Sequence, residues 1–391
     1  MVKLKDALRH YDYLLAIITV ALCIFGIIMI FAAMNADSTP AAQHHLSNVW
    51  ERQRIYVITG TILMIIFSAI DYRTFTRFYF YIYAIMMLFL IATMIIGADD
   101  ATGTARWIWV PVPGLGNLSM QPSEFAKVFM ILFLAKFLDV HKERFNHVLM
   151  LGLIAVLITV PVLLVFRQPS FSAAMVILTI SLTILFVGGL YYRTILLGIL
   201  AISPIAVALW FDIQRENPII VTRILGEFQW RRILALIRPD MVDLDALRQT
   251  QGSLIAISQG GLSGQGFMNH PHVIHGHNDF IFSIVAAQFG FIGAAVLLMV
   301  VALMIARCIL IALRAQDLQG RLIAAGVAGM LIFETFFHVG VATNLLPNTG
   351  MPFPFLSFGG SMIWVHMMAI GIVLNVGLPR EKSMFDDDED H

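Results

Sequence analysis

The segment His275-Gly276-His277-Asn278-Asp279-Phe280-Ile281-Phe282 sets a polar run ending in a carboxylate against the start of a long apolar stretch. An acid at the mouth of a membrane helix has two uses. It can cap the helix, because free first-turn amides and the positive end of the dipole favour an anion there. It can also take a proton from a substrate that reaches the boundary. Asn278 beside it would cap equally well, so capping alone gives no reason for a carboxylate.

Other ionisable groups raise the same question. The stretch ATGTARWIWVPVPGLGNLSMQPSEFAKVF carries Arg106, then Glu124 and Lys127 three residues apart, a spacing that puts both on one helix face. They form either an ion pair or part of a site facing an aqueous cavity. In a later apolar run Glu334 and His338, four apart, read as a proton relay or a buried hydrogen-bonded pair. Between Pro218 and Pro239, VTRILGEFQWRRILALIR mixes apolar residues with Arg223, Arg231 and Arg232, the composition of an interfacial amphipathic helix. Its arginines either rest on anionic headgroups or hold a lipid-linked phosphate with their planar forks. The glycines of QGGLSGQGF allow close backbone approach or simple flexibility. His270, His272, His275 and His277 crowd into eight residues. Such tracts can ligate zinc or copper, but without Cys or helical spacing an exposed polar loop is expected, not a required metal site.

These side chains need a scaffold, and composition names it. The 391 residues are 59% hydrophobic and 13% charged, more apolar and less charged than a soluble domain. Runs long enough to span a bilayer centre near Ile24, Met64, Met87, Ile131, Ala155, Leu178, Leu200, Leu297, Gly329 and Ile370. The expected fold is an all-α polytopic membrane protein: ten transmembrane helices with a long extracytoplasmic loop, 212–278, between spans seven and eight, in a single membrane domain over 1–391. Lys3, Lys5 and Arg9 precede a first run that is long enough to span and has no A-x-A site behind it, so it is expected to remain uncleaved. Lys and Arg of the short loops gather on the side of the termini. Both termini are therefore expected in the cytoplasm, with the acidic tail of 379–391, and Asp279 at the outer surface.

Formal net charge is zero, with 25 Lys and Arg against 25 Asp and Glu, and nothing points to a nucleic-acid partner. Cys23 and Cys308, the only cysteines, each fall inside an apolar run, which argues against a disulfide framework or a thiol site.

Several segments together resemble one family, the SEDS glycosyltransferases of bacterial cell-wall synthesis, the RodA, FtsW and SpoVE group. They are Arg106-Trp107-Ile108, QPSEFAK at 121–127, RRIL at 231–234, SLIAI followed by GGLSGQG, HNDFIF at 277–282 and, longest and most specific, LLPNTGMPFPFLSFGGS at 345–361. The resemblance implies polymerisation of lipid II, a disaccharide-pentapeptide on undecaprenyl pyrophosphate, at the outer face of the bacterial cytoplasmic membrane, in elongation, division or sporulation. It implies Asp279 as the catalytic acid. Arg106, Glu124, Lys127, Arg231, Arg232 and His277 are implied around the substrate. A class B penicillin-binding protein is the implied partner. The resemblance fixes no cofactor, and a divalent cation such as magnesium or manganese is a candidate aid. The sequence departs from the family pattern at Gln168-Pro169-Ser170-Phe171-Ser172-Ala173, at Ala287-Gln288, and at Glu334 and His338. The rival readings are a lipid-linked precursor flippase or transporter, suited by intramembrane ionisable groups, and a non-catalytic scaffold for cell-wall enzymes.

Overall fold

A computed structural model describes residues 9–35, 49–99, 105–112, 116–168, 170–215, 218–224, 227–242 and 244–379. The acidic tail 380–391 and Pro169 lie outside them. The helices are α1 (Tyr13–Asn35), α2 (Val49–Ala69), the short α3 (Tyr72–Thr76), α4 (Tyr79–Ile96), α5 (Pro122–Val140), α6 (Val148–Arg167), α7 (Phe171–Val187), α8 (Tyr192–Ile213), α9 (Ile220–Ile224), α10 (Glu227–Ile237), α11 (Leu244–Gly260), α12 (Ile281–Arg314), α13 (Leu318–Ala342) and α14 (Gly360–Val376).

Each of the ten expected centres falls inside a helix. Five helices, α1, α6, α8, α12 and α13, are long and apolar enough to cross a membrane, and α4, α7 and α14 are shorter apolar helices. α2 and α5 are diluted by charge, Glu51, Arg52 and Arg54 in the first and Glu124, Lys127, Lys136 and Asp139 in the second. The outward face of α2 is Ile58, Ile62, Ile65 and Ile66, all exposed, while Tyr56, Met64 and Gly60 turn inward. Helices apolar on both faces suit lipid, not water. The protein is a polytopic membrane protein.

α13 is the most buried of the long spans and packs against α12, α7, α5 and α14, while α14 lies along α2. Polar staples fix the end of the bundle where α13 begins. Asp317 caps α13 by accepting from the Gly320 amide at 2.7 Å and also binds Arg73 at 2.6 Å and the Tyr72 hydroxyl at 2.7 Å. Arg307 donates to Asp12 at 2.7 and 3.0 Å. Cys23 and Cys308 are free and buried.

Two connecting segments carry regular structure: the one before α5 as strands that were not expected, and 212–278 in part as α9 and α10, where a helix is expected between Pro218 and Pro239. Three strands, β1 (Ala98–Asp99), β2 (Ala105–Val112) and β3 (Gly116–Met120), form an antiparallel sheet, with Ile108 opposite Met120 and Val112 opposite Gly116. Arg106 therefore sits on a strand. The segment 212–278 is largely helical. Its α11 packs on α12 and α13, with Ser253 donating to the Ala342 carbonyl at 2.6 Å and meeting Ser283 Oγ at 2.5 Å.

α12 is broken at Gly290, whose φ of 65° and ψ of −166° are non-helical. A broken helix at membrane depth must find other partners for the backbone groups it frees, and the 260–266 turn supplies them. Gln265 and Gly266 donate to the carbonyls of Ala287 and Gln288 at 3.0 and 3.1 Å, and Phe291 and Ile292 donate to the carbonyls of Gly261 and Leu262 at 2.8 and 3.1 Å. Only glycines allow this approach. A Cβ on Gly264 would lie 2.1 Å from the Gln288 carbonyl oxygen, and one on Gly290 2.4 Å from the Gly264 nitrogen.

Candidate functional site

Asp279 lies in the turn that enters α12, partly buried and outside the helix. The helix begins without a side-chain cap at Phe280, and the first-turn amide of Phe282 meets His338 Nε2 at 3.5 Å. Capping is thus supplied from α13, which separates the acid from that duty.

The wall facing Asp279 comes from the 344–359 segment between α13 and α14. At its apex Gly350, with φ of 68°, comes so close that a Cβ there would lie 3.4 Å from both Asp279 Oδ2 and Arg232 Nη1. Arg232, from α10, donates to the Asn348 carbonyl at 3.1 Å. Asn348 in turn donates to Gln249 of α11 at 3.0 Å and accepts from the Gly350 amide at 3.1 Å. Further along, Ser357 donates to the Asn278 carbonyl at 2.6 Å and accepts from the Phe353 amide at 2.8 Å; the Phe358 amide reaches the His277 carbonyl at 3.0 Å. Gln53 of α2 clamps the same segment, donating to the Ser357 carbonyl and accepting from the Gly359 amide, each at 3.2 Å. Four elements therefore hold one loop against one carboxylate.

Among the described residues, the non-glycine positions with positive φ are Met268, His275, Asn344 and Phe355. All four lie in the two segments that flank Asp279. Left-handed backbone at such residues costs about 1–3 kcal/mol each and collects where a surrounding structure must hold a defined geometry.

Burial pushes the Asp279 carboxyl above its usual range, opposed by the nearby charges of Arg232, His275 and Arg106. Burial likewise lowers the Arg232 guanidinium, against the pull of Asp279. His277 is brought down to about 4, first by burial and then by His275, so at neutral pH it is an uncharged neighbour. Its ring packs near Phe358, 6.2 Å between centroids.

The structure thus brings together Asp279, Arg106, Arg232, His275 and His277 of the sequence candidates. Arg231 is on the same short helix as Arg232 but exposed. Glu124 and Lys127 lie elsewhere, in a dry network within the bundle. Lys127, 1% exposed, contacts Glu124 at 2.8 Å and Glu334 at 2.7 Å, and Glu334 meets His366 Nε2 at 2.5 Å. His366 Nδ1 faces the Met362 carbonyl at 2.7 Å. Both ring nitrogens face acceptors, so the imidazole links Glu334 to the α14 backbone. The Lys127 ammonium thus has two of its three donors directed at carboxylates, inside the bundle and apart from the Asp279 group. Glu334 and His338 do not pair with each other: His338 turns toward Met351 and Phe282. Among the histidines of the polar tract, the His270 ring is taken by the carbonyls of Pro271 and Ala32.

Gly350, Asn348, Gln249 and His338 were not singled out from sequence as partners of Asp279. The glycine in Asn-Thr-Gly offered a signal, since a tight turn beside a polar site invites a positive φ; nothing in the sequence pairs Gln249 with Asn348.

Fold and site define a polytopic membrane protein with one carboxylate and two guanidinium groups gathered at the mouth of a membrane helix. The chain belongs to the FtsW, RodA and SpoVE family of cell cycle proteins, whose family model matches residues 13–382. Among its relatives, the peptidoglycan glycosyltransferase MrdB of Escherichia coli K12 is 30% identical over 95% of each chain. The probable peptidoglycan glycosyltransferase FtsW of Geobacter metallireducens is 31% identical over 94% of this chain and 95% of that one. Among solved structures, a chain of a peptidoglycan synthase complex that coordinates polymerization and crosslinking superimposes with a TM-score of 0.76 at 28% identity, covering 95% of this chain and 99% of that one. The rod shape determining protein RodA of Thermus thermophilus gives a TM-score of 0.65 at 27% identity, covering 94% and 96%.

Proposed function

We propose that the protein is a peptidoglycan glycosyltransferase that polymerises lipid II at the outer face of the bacterial cytoplasmic membrane, through ten spans and with both termini in the cytoplasm. The observation that carries this reading is the Asp279 carboxylate beside Gly350, which also lies against Arg232, with the charges of Arg232 and Arg106 near enough to act on it. Asp279 is the general base: it takes the proton of the acceptor sugar's 4-hydroxyl as that oxygen bonds to the donor's anomeric carbon. The bond from that carbon to the pyrophosphate oxygen breaks, and undecaprenyl pyrophosphate departs with the electron pair. Arg232 and Arg106 face the negative charge that gathers on it. A pyrophosphate leaves without being protonated, so one carboxylate is enough, unlike the paired acids of many glycosidases.

Among the described residues no group of three or more His, Cys, Asp or Glu is placed to hold a metal ion. A magnesium or manganese ion would have to be carried by the substrate phosphates, where it would neutralise charge on the departing pyrophosphate. A class B penicillin-binding transpeptidase is the partner, in keeping with the synthase complex that the fold resembles.

Purified protein incubated with lipid II, with and without that partner, tests the reading. Glycan polymer is the expected product. Lipid II moved across the membrane without polymer would make the protein a flippase, and neither outcome would make it a scaffold.

A further inference from the structure

The α12 entrance and the Gly350 loop meet at one side chain that the proposed mechanism leaves out. His338, on α13 and fully buried, has its Nδ1 2.8 Å from the Met351 carbonyl oxygen and its Nε2 3.5 Å from the Phe282 amide nitrogen. Its ring stands edge-on to Phe353 at 5.2 Å. A carbonyl can only accept and an amide N–H can only donate, so the ring carries its proton on Nδ1 and presents a lone pair at Nε2. That is the neutral tautomer, fixed by two backbone groups.

Those two groups belong to the two halves of the site. Phe282 is three residues after Asp279, in the first turn of the helix that Asp279 precedes, and its amide has no partner within the helix. Met351 follows Gly350, whose backbone lies against both Asp279 and Arg232. The imidazole therefore joins the helix that Asp279 precedes to the Gly350 end of the loop, where the Ser357 and Phe358 bonds to Asn278 and His277 do not reach. Asn344 and Phe355, both left-handed, sit on either side of Met351 in that loop, which gives the segment other backbone conformations to relax into once the tether is cut.

We infer that His338 is a positioning residue for the glycosyl transfer, an imidazole that caps α12 from a neighbouring helix and ties the Gly350 loop to it, so that Asp279 and Arg232 keep their mutual placement. This rests on Asp279 being the general base. The groups facing Asp279 are Arg232 from α10, Arg106 from β2 and His275 from the same turn. Loosening the loop withdraws Arg232 first, because Arg232 is tied to the loop at Asn348.

The test compares His338→Leu and His338→Gln with wild type, using purified protein and lipid II. Leu fills the space but bonds neither partner; Gln offers a donor and an acceptor. His338→Leu should lower kcat about 10²-fold, the scale of a misplacement near 1 Å, with KM within about threefold. The acid limb of its pH–rate profile should move to higher pH, because Asp279 loses part of the influence of Arg232. His338→Gln should recover most of the rate and return the limb toward its wild-type position. Wild-type kcat with an unmoved profile in the Leu variant overturns the inference, as does a Gln variant no better than Leu. If the Leu variant does not fold, His338→Thr, too short to reach both partners, replaces it, and equal turnover by the Thr and Gln variants overturns the inference. Asp279→Asn is assayed in parallel. A fully active Asn variant refutes the general base itself; an inactive one beside a wild-type Leu variant refutes only the role of His338.

Discussion

At the scale of residues, the protein uses charge in two contrasting ways. At the mouth of α12 a partly buried carboxylate is tuned by its surroundings; inside the bundle the Lys127 ammonium meets the carboxylates of Glu124 and Glu334. The first arrangement has a readable pH dependence. Asp279 must be ionised to act as a base, so turnover falls as pH drops through its folded pKa. Burial raises that pKa and Arg232 opposes the rise. Arg232→Gln should therefore shift the acid limb of kcat/KM to higher pH, and a limb that stays in place would remove Arg232 from the field of Asp279. Because a carboxyl whose pKa is raised in the fold costs stability as pH climbs past its unfolded pKa, in full above the folded one, Asp279→Asn should be at least as stable as wild type at neutral pH.

The internal network makes a different prediction. Lys127→Met strands two buried carboxylates and should cost about 3–5 kcal/mol of stability, the usual loss when one partner of a buried pair is removed. Combining it with Glu334→Gln should cost less than the two single changes together, by about 0.5–3 kcal/mol. Denaturation of the four proteins of that cycle in detergent measures the coupling; strict additivity would mean that the 2.7 Å contact contributes nothing. Sequence placed Glu124 and Lys127 on one face correctly, since a spacing of three is local geometry. The partners Glu334 and His366 come from helices far along the chain, and no local rule reaches them.

Among elements, the break in α12 and the turn 260–266 form one unit. The glycine spacing was visible in the sequence and fitted either flexibility or close approach; what decides for close approach is Gly290, whose break creates the unpaired groups that the turn satisfies. The break also bears on transport. Discontinuous helices in transporters offer their free ends to substrate or ions, whereas these ends are spliced to backbone. Gly264→Ala and Gly290→Ala should each lower folded yield and melting temperature sharply, because both residues have positive φ and each Cβ would overlap backbone. Gly152→Ala, on α6 with nothing near its Cβ, should be neutral or slightly stabilising. Equal behaviour of the three variants would contradict the splice. The strands around Arg106 escaped the sequence reading for a related reason: Pro111 and Gly116 are residue types that usually argue against strands, and the pairing of β2 with β3 overrides that preference.

For the molecule as a whole, hydropathy made the bundle legible, because a membrane helix needs only length and apolar character and all ten centres fall on helices. The site was legible in part. Asp279 stood out as a carboxylate at a span boundary and Arg106 and Arg232 as cations of the connecting segments, while the loop beside them depends on contacts from α2, α10, α11 and α13 that no single stretch encodes. The arrangement amounts to a helical frame that brings one acid and two guanidinium groups to the entrance of α12.

The most direct test of that assignment is polymerisation of lipid II by Asp279→Asn. Asparagine keeps the size of the side chain and much of its capping capacity but removes its basicity. A general base is worth about 10² to 10⁴ in rate, whereas loss of a cap costs about 1 kcal/mol of stability. The variant should fold, bind its transpeptidase partner and lose at least about 10²-fold in polymer formation. Polymer formed at the wild-type rate by the folded variant would contradict the assignment and leave Asp279 a structural residue of the α12 entrance.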